Sequence, residues 1–200
     1  MGTAESIAIE KAHMPPFFTK TPISIERGMG VYVWDEEGTR YLDLTAGWGV
    51  TSIGHAHPVI QTALTKQGAC ILQNPDSGLT HSPARARLLS LLVGVLPPNL
   101  TQVFFTNSGA EANDAAIKLA RKVTGRCEVV STNGSFHGRT IGTLSATGQA
   151  KHREKFRPLM PGYRFVSYDD LAAIERNLDE RPDGCPCRHF IRPDCRYEQR

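Results

Sequence analysis

Long apolar runs are missing from this chain. None of its 200 residues lies in a stretch approaching the about eighteen apolar residues of a membrane span, so no span is expected. Cysteine is scarce. Cys70, Cys127, Cys185, Cys187 and Cys195 are odd in number and unevenly spread, which argues against a secreted disulfide framework and suits a reducing compartment. Charge of one sign is lacking too. The net charge is +3 with no long basic run, which implies neither nucleic acid nor a membrane surface as partner. No secretory signal is expected from residues 1–30. Residues 1–30 mix Glu5, Glu10 and Glu26 with Lys11, Lys20 and Arg27, so no mitochondrial transit peptide is apparent, and Met1–Ser6 matches a myristoylation pattern loose enough to be coincidence. Neither a P-loop nor Gly-x-Gly-x-x-Gly occurs, which weighs against a generic α/β nucleotide binder. His55 and His57 have no partner ligands at a suitable spacing. Cys185, Cys187, His189 and Cys195 contain only one close cysteine pair. No metal is expected. No internal repeat or low-complexity segment is present. A hydrophobic share of 40% allows a packed core, and the length suits one domain or one and a fraction.

The chain is organised around Asn107-Ser108-Gly109-Ala110-Glu111-Ala112-Asn113-Asp114. Gln102–Thr106 before it has the composition of a buried strand. Ala112, Ala115, Ala116, Leu119, Ala120 and Val123 after it recur at helical spacing, and Gly125 is a stop. Strand, tight turn and helix follow. Ser108 or Asn107 is placed to cap the helix, and Gly109 lets backbone come close to a ligand. Free N–H groups and the positive end of the helix dipole then face one spot, which suits a phosphate. The plain alternative is an ordinary capped helix. A second stretch is Asn133-Gly134-Ser135-Phe136-His137-Gly138-Arg139-Thr140, after a strand expected at Glu128–Ser131. Phe136 offers a flat apolar face and Arg139 a planar fork for a carboxylate; alone, each could equally be a core phenylalanine and a surface arginine.

Together, the Ser-Gly-Ala-Glu-Ala-Asn turn and the Phe-His-Gly-Arg-Thr stretch resemble class III aminotransferases, which use pyridoxal phosphate. The resemblance implies that Ser108, Gly109, Ala110 and Glu111 bind the cofactor phosphate and that Phe136 and His137 lie at its ring. It implies that Arg139 holds a substrate carboxylate, as in the acetylornithine members. It also implies an α/β fold: an incomplete fold-type I large domain, three-layered with a mostly parallel sheet, and an amino-terminal β-meander.

Along the chain, residues 6–20 read as a short helix and an extended arm. Val31–Trp34 and Arg40–Leu44 read as strands around an Asp35–Gly38 turn. Ala46–Pro58 resembles the family's crossing segment, and Trp48 in it either lines the substrate cleft or packs at an interface. Helices are expected at Pro58–Ile71, with Val59, Ile60, Ala63, Leu64 and Ile71 apolar, and at Pro83–Leu96. The loop Gln73–Gly78 departs from the family, whose relatives carry an asparagine and an aromatic residue there. A helix is expected at Thr140–Ala146, a basic surface stretch at Lys151–Arg157, a strand at Arg164–Ser167 and a capped helix at Asp169–Leu178. The expected division is 1–57, arm and small-domain segment; 58–180, partial large domain; and 181–200, an atypical tail. In that tail only Phe190-Ile191 is an apolar pair, so a central strand is not expected, and a frame-shifted or misspliced end accounts for it.

The resemblance covers about residues 20–178 and stops before the family's aspartate for the pyridine nitrogen and its Schiff-base lysine. None of Lys11, Lys20, Lys66, Lys118, Lys122, Lys151 and Lys155 sits in that lysine's context, so no catalytic residue is assigned and the 200 residues alone are expected to be inactive. The function implied is transfer of an amino group from N-acetylornithine to 2-oxoglutarate in arginine biosynthesis, by a homodimer in full-length form, in the mitochondrial matrix or cytoplasm. Ornithine, 4-aminobutyrate and diaminobutyrate aminotransferases share much of the pattern. A non-catalytic product that binds phosphate-bearing ligands or pairs with full-length subunits is the other-class alternative.

Overall fold

The computed structural model describes residues 2–74, 78–179 and 188–190. The chain divides into two compact units, residues 1–88 and 89–200.

The first unit carries helix α1 (Thr3–His13) and a three-stranded antiparallel meander, β1 (Ile25–Met29), β2 (Tyr32–Asp35) and β3 (Arg40–Leu42). The expected turn closes the second hairpin. Buried Asp35 accepts from Glu37 N–H, Thr39 N–H and Tyr41 O–H, and these bonds outweigh burial and hold its carboxyl below the usual range. Arg27 lies 4.0 Å over the Trp34 ring and Arg40 4.7 Å over Tyr32, so the aromatic strands keep one face half-covered by cation stems. The helical turn α2 (Ala46–Gly49) is left-handed at Gly47 and Trp48. It is anchored by Asp43, which accepts from Thr45 Oγ1, His55 Nε2 at 2.7 Å, and the Thr45 and Ala46 N–H groups; these bonds hold the carboxyl far below its ordinary value. Helix α3 (Pro58–Gly68) starts on His57, with proline in its first turn. Helix α4 (Pro83–Val95) spans the division between the units.

The second unit is α/β. Helix α5 (Gly109–Thr124) leads to β4 (Glu128–Thr132), and helices α6 (Ile141–Ala146) and α7 (Ala150–Arg153) and a 3-10 turn (Glu154–Phe156) follow. Strand β5 (Tyr163–Val166), helix α8 (Leu171–Asp179) and strand β6 (Arg188–Phe190) complete it. The strand order is β5-β4-β6, all parallel, with Val130 paired to Arg164 on one side and to Phe190 on the other. Central β4 is buried along Val129, Val130 and Ser131, and Ile117, Val129 and Ala146 form the core with Tyr163 against it. A central parallel strand loses both faces to packing, which is why β4 carries consecutive valines.

One expectation is corrected. Gln102–Thr106 forms no strand, and Phe104 is 75% exposed. Its β-branched and aromatic content supplies propensity, but no neighbouring strand among the described residues pairs with it. In α5 the apolar Leu119 and Val123 are 62% and 73% exposed, and Ile117 is the buried residue. The tail, not expected to supply a central strand, contributes the edge strand β6, whose main-chain pairing with β4 does not depend on an apolar run. The remaining expectations for residues 181–187 and 191–200, and those for 75–77, lie outside the described residues.

Candidate functional site

Helix α5 begins as the sequence predicts, and Ser108 is the cap. Its Oγ accepts from Glu111 N–H at 3.2 Å and donates to Glu111 Oε2 at 3.4 Å, while Glu111 Oε2 accepts from Asn107 N–H at 2.7 Å. This is a capping box displaced by one residue, since the carboxylate reaches back to the residue before the cap. At the far end Gly125 takes the left-handed conformation and its N–H returns to Arg121.

The box decides which groups remain for a ligand. Ala112 N–H is used by Ser108 O and Glu111 N–H by Ser108 Oγ. The N–H groups of Gly109 and Ala110 have no partner among the described residues, and a side chain built on Gly109 would meet nothing within 4 Å. These two N–H donors stand at the positive end of a helix of 16 residues, a geometry able to receive an anion. Glu111 is a carboxylate already engaged within the turn, so its part is to hold the turn's shape.

The loop after β4 is pressed onto this same turn. A side chain on Gly138 would come within 2.7 Å of Ala110 Cβ and 2.3 Å of Thr143 Oγ1, so only glycine lets the loop approach so closely, here with φ of 138°. His137, which is buried, is held at three atoms. Its N–H donates to Thr147 Oγ1 at 3.1 Å, its carbonyl accepts from Asn113 Nδ2 at 2.7 Å, and its Nε2 lies 3.0 Å from Ser131 Oγ. The Ser131 hydroxyl gives its own proton to Ala146 O at 2.7 Å, so it can only accept from His137. The imidazole therefore carries a proton on Nε2. Its Nδ1 is buried without a partner among the described residues, and burial pushes its pKa below the ordinary value. Thr140 Oγ1 donates to Asp114 Oδ2 at 2.8 Å and continues the seam.

Phe136 and Arg139 project from either side of this pinned residue. Phe136 is 45% exposed rather than a core residue, edge-on to His152 at 6.2 Å. Arg139 is exposed, with its guanidinium 6.0 Å from the Phe136 ring. The structure thus brings Ser108, Gly109, Ala110, Glu111, Phe136, His137 and Arg139 together within the second unit. Trp48 belongs to the first unit, where it stands 88% exposed. Reasoning from sequence gave no role to Asn113, Asp114 or Ser131. Polar residues at Asn113 and Asp114, three and four positions after Ala110, were the available signal, since they share its helix face. Among the described residues no cluster of ligand-type side chains could hold a metal, and no helix is long and apolar enough to cross a membrane.

A sequence model of the family described as aminotransferase class-III matches residues 14–186. The acetylornithine aminotransferase of Methanothermobacter thermautotrophicus is 43% identical over 87% of this chain and 44% of its own length. The chain thus spans about half the length of the curated relatives it matches. As an archaeal enzyme, this relative gives the mitochondrial option no support. Two solved structures superpose on most of the chain. The ornithine aminotransferase of Toxoplasma gondii, reported with partial occupancy of pyridoxal phosphate at its active site, has a TM-score of 0.78 at 28% identity, covering 88% of this chain and 42% of its own. The taurine:2-oxoglutarate aminotransferase of Bifidobacterium kashiwanohense, in complex with pyridoxal phosphate and glutamate, has a TM-score of 0.76 at 28% identity, covering 87% and 40%. With the family model covering most of the chain and the fold agreeing with these structures, the chain belongs to the class III aminotransferases.

Proposed function

We propose that this chain carries the cofactor-phosphate and ring-face part of a pyridoxal-phosphate-dependent aminotransferase of the acetylornithine type. In this reading the amino group passes from N-acetylornithine to 2-oxoglutarate. The observation that carries the reading is the pair of N–H groups of Gly109 and Ala110, which have no partner among the described residues, with the Phe136 loop seated against the same turn. A phosphate of charge about −1.5 to −2 is met there by backbone donors and the helix dipole. Ser108 and Glu111 keep the turn in shape, Phe136 offers its exposed face to the pyridine ring, and Arg139 takes a substrate carboxylate. Trp48 in the crossing segment is assigned to the substrate side. Bound there, pyridoxal phosphate supplies an electron-accepting ring for the carbon that bears the amino group. His137 keeps its Nε2 proton on Ser131 Oγ beneath the loop. Its part is to fix the backbone between Phe136 and Arg139.

The amine and the acid that complete such a site come, in this reading, from polypeptide outside these 200 residues. Residues 1–57 then serve as arm and small-domain segment and residues 58–180 as the cofactor-binding part of a homodimer's subunit. The 43% identity to an acetylornithine enzyme favours that substrate, and the superposition on an ornithine aminotransferase keeps ornithine as runner-up. Substitution separates the phosphate turn from the lysines. Ser108→Leu removes the cap and crowds the turn, and should weaken pyridoxal phosphate retention at least about tenfold, as expected for loss of a cap and a charge-assisted contact. Lys118→Ala should leave retention within about twofold, the range of an exposed side chain. Equal losses would overturn the reading.

A further inference from the structure

Helix α5 presents one continuous stripe to the loop after β4. Ala110 meets Gly138, Asn113 Nδ2 donates to the His137 carbonyl at 2.7 Å, Asp114 accepts from Thr140 Oγ1 at 2.8 Å, and Ile117 enters the core. These positions follow the helical spacing of three, four and seven, so a single rigid face grips residues 137–140. The helix that begins with the anion turn therefore also fixes the loop that carries Phe136 and Arg139. Asn113 makes a side-chain bond from this helix to the main chain between those two residues, across 24 positions of sequence.

We infer that Asn113 is a positioning residue, which sets the ring face of Phe136 at a fixed offset from the phosphate turn; this rests on the proposed cofactor site. The carbonyl of His137 accepts from Asn113, and the N–H of the same residue is held separately by Thr147. Removing the Asn113 donor leaves a partly buried carbonyl unpaired and frees one end of the residue. The loop then relaxes away from the turn while the turn keeps its own capping box. The defect falls on contacts to the ring and spares contacts to the phosphate. A role confined to folding would weaken both alike.

The test uses the 200-residue chain and two probes, pyridoxine 5′-phosphate and inorganic phosphate, titrated calorimetrically into wild type and Asn113→Leu. Asn113→Leu should bind pyridoxine 5′-phosphate about tenfold more weakly, and inorganic phosphate within about twofold, the loss of one hydrogen bond to an otherwise satisfied loop. Amide hydrogen exchange without ligand should quicken at residues 136–140 and stay unchanged in the first turn of α5. Thr140→Val, which removes the neighbouring bond to Asp114, should show the same split at smaller size and carries the test should Asn113→Leu fail to fold. Equal weakening of both probes, no weakening, or unchanged exchange at 136–140 overturns the inference. A wild-type chain that binds neither probe overturns the proposed cofactor site and, with it, the positioning role. Wild-type binding without the split overturns the positioning role alone.

Discussion

Helices α3 and α5 both begin on a side-chain cap, His57 Nδ1 accepting from Val59 N–H and Ser108 Oγ from Glu111 N–H. Along their lengths they part. Helix α5 buries Ile117 against Val129 and Ala146, and its polar residues Asn113 and Asp114 hold the following loop. Helix α3 buries no residue, and its apolar Val59 and Leu64 are each 68% exposed. Capping and periodicity are local and form both helices. Burial needs a facing sheet, and of these two helices only α5 has one among the described residues. The energetic weight of the molecule should therefore lie in the segment from Ser108 to Gly148.

Substitutions at matched residue types can break that contrast. The largest effect is expected at glycine. A side chain on Gly148 would stand 1.9 Å from the Thr132 carbonyl oxygen, whereas one on Gly68 in α3 would make ordinary contact at 3.5 Å with Leu72. Gly148→Ala should cost about 4 kcal/mol or more, and Gly68→Ala should be neutral or gain up to about 1 kcal/mol from helix propensity, read as urea midpoints by circular dichroism. Similar midpoints for the two variants would erase the contrast. Val130 is 2% exposed, and Val130→Ala should cost about 2 kcal/mol through lost burial and the cavity left behind.

Acidification offers a third and smaller test. Burial lowers the pKa of His137 from its ordinary 6.5. Above 6.5 both folded and unfolded states hold it neutral, and its contribution to stability is fully present. Between 6.5 and the lowered folded value only the unfolded chain takes up the proton, so stability falls as pH falls through that window. Below the folded value both states are protonated and the loss levels off. His137→Gln should flatten the pH dependence of the urea midpoint between about pH 7.5 and 5.5. An unchanged slope would mean that the imidazole is not held neutral in the fold. The smallest effect is expected from Leu64→Ala in α3, within about 0.5 kcal/mol because the side chain is largely exposed already.

Much of this was legible from local chemistry. Ser108, Glu111 and Gly125 announce the ends of α5 because caps and stops act within a turn of themselves, and Asp35–Gly38 announces its hairpin for the same reason. The β4 valines and the helix after Asp170, whose carboxylate accepts from Ala173 N–H, were readable likewise. What was not legible depends on a partner distant in sequence. Gln102–Thr106 has strand composition and no strand beside it, and the tail has little strand composition yet pairs with β4. In the site, Ser108 to Ala110 and Phe136 to Arg139 stood out by residue type. Asn113 stood in the motif without a role, because an amide inside a helix takes its meaning from the carbonyl it meets 24 residues later. The buried state of His137 escaped for the same reason, since Ser131 and Thr147 reach it only through the fold.

The central claim is that one turn and one loop of the second unit form a single cofactor site. A crystal structure of this chain, or of a longer polypeptide containing it, with pyridoxal phosphate bound tests that most directly. Phosphate oxygens should lie within about 3 Å of the Gly109 and Ala110 nitrogens, the span of a good N–H···O bond, with the pyridine ring against Phe136. A phosphate held elsewhere, by lysine or arginine side chains with both N–H groups facing solvent, would contradict the account.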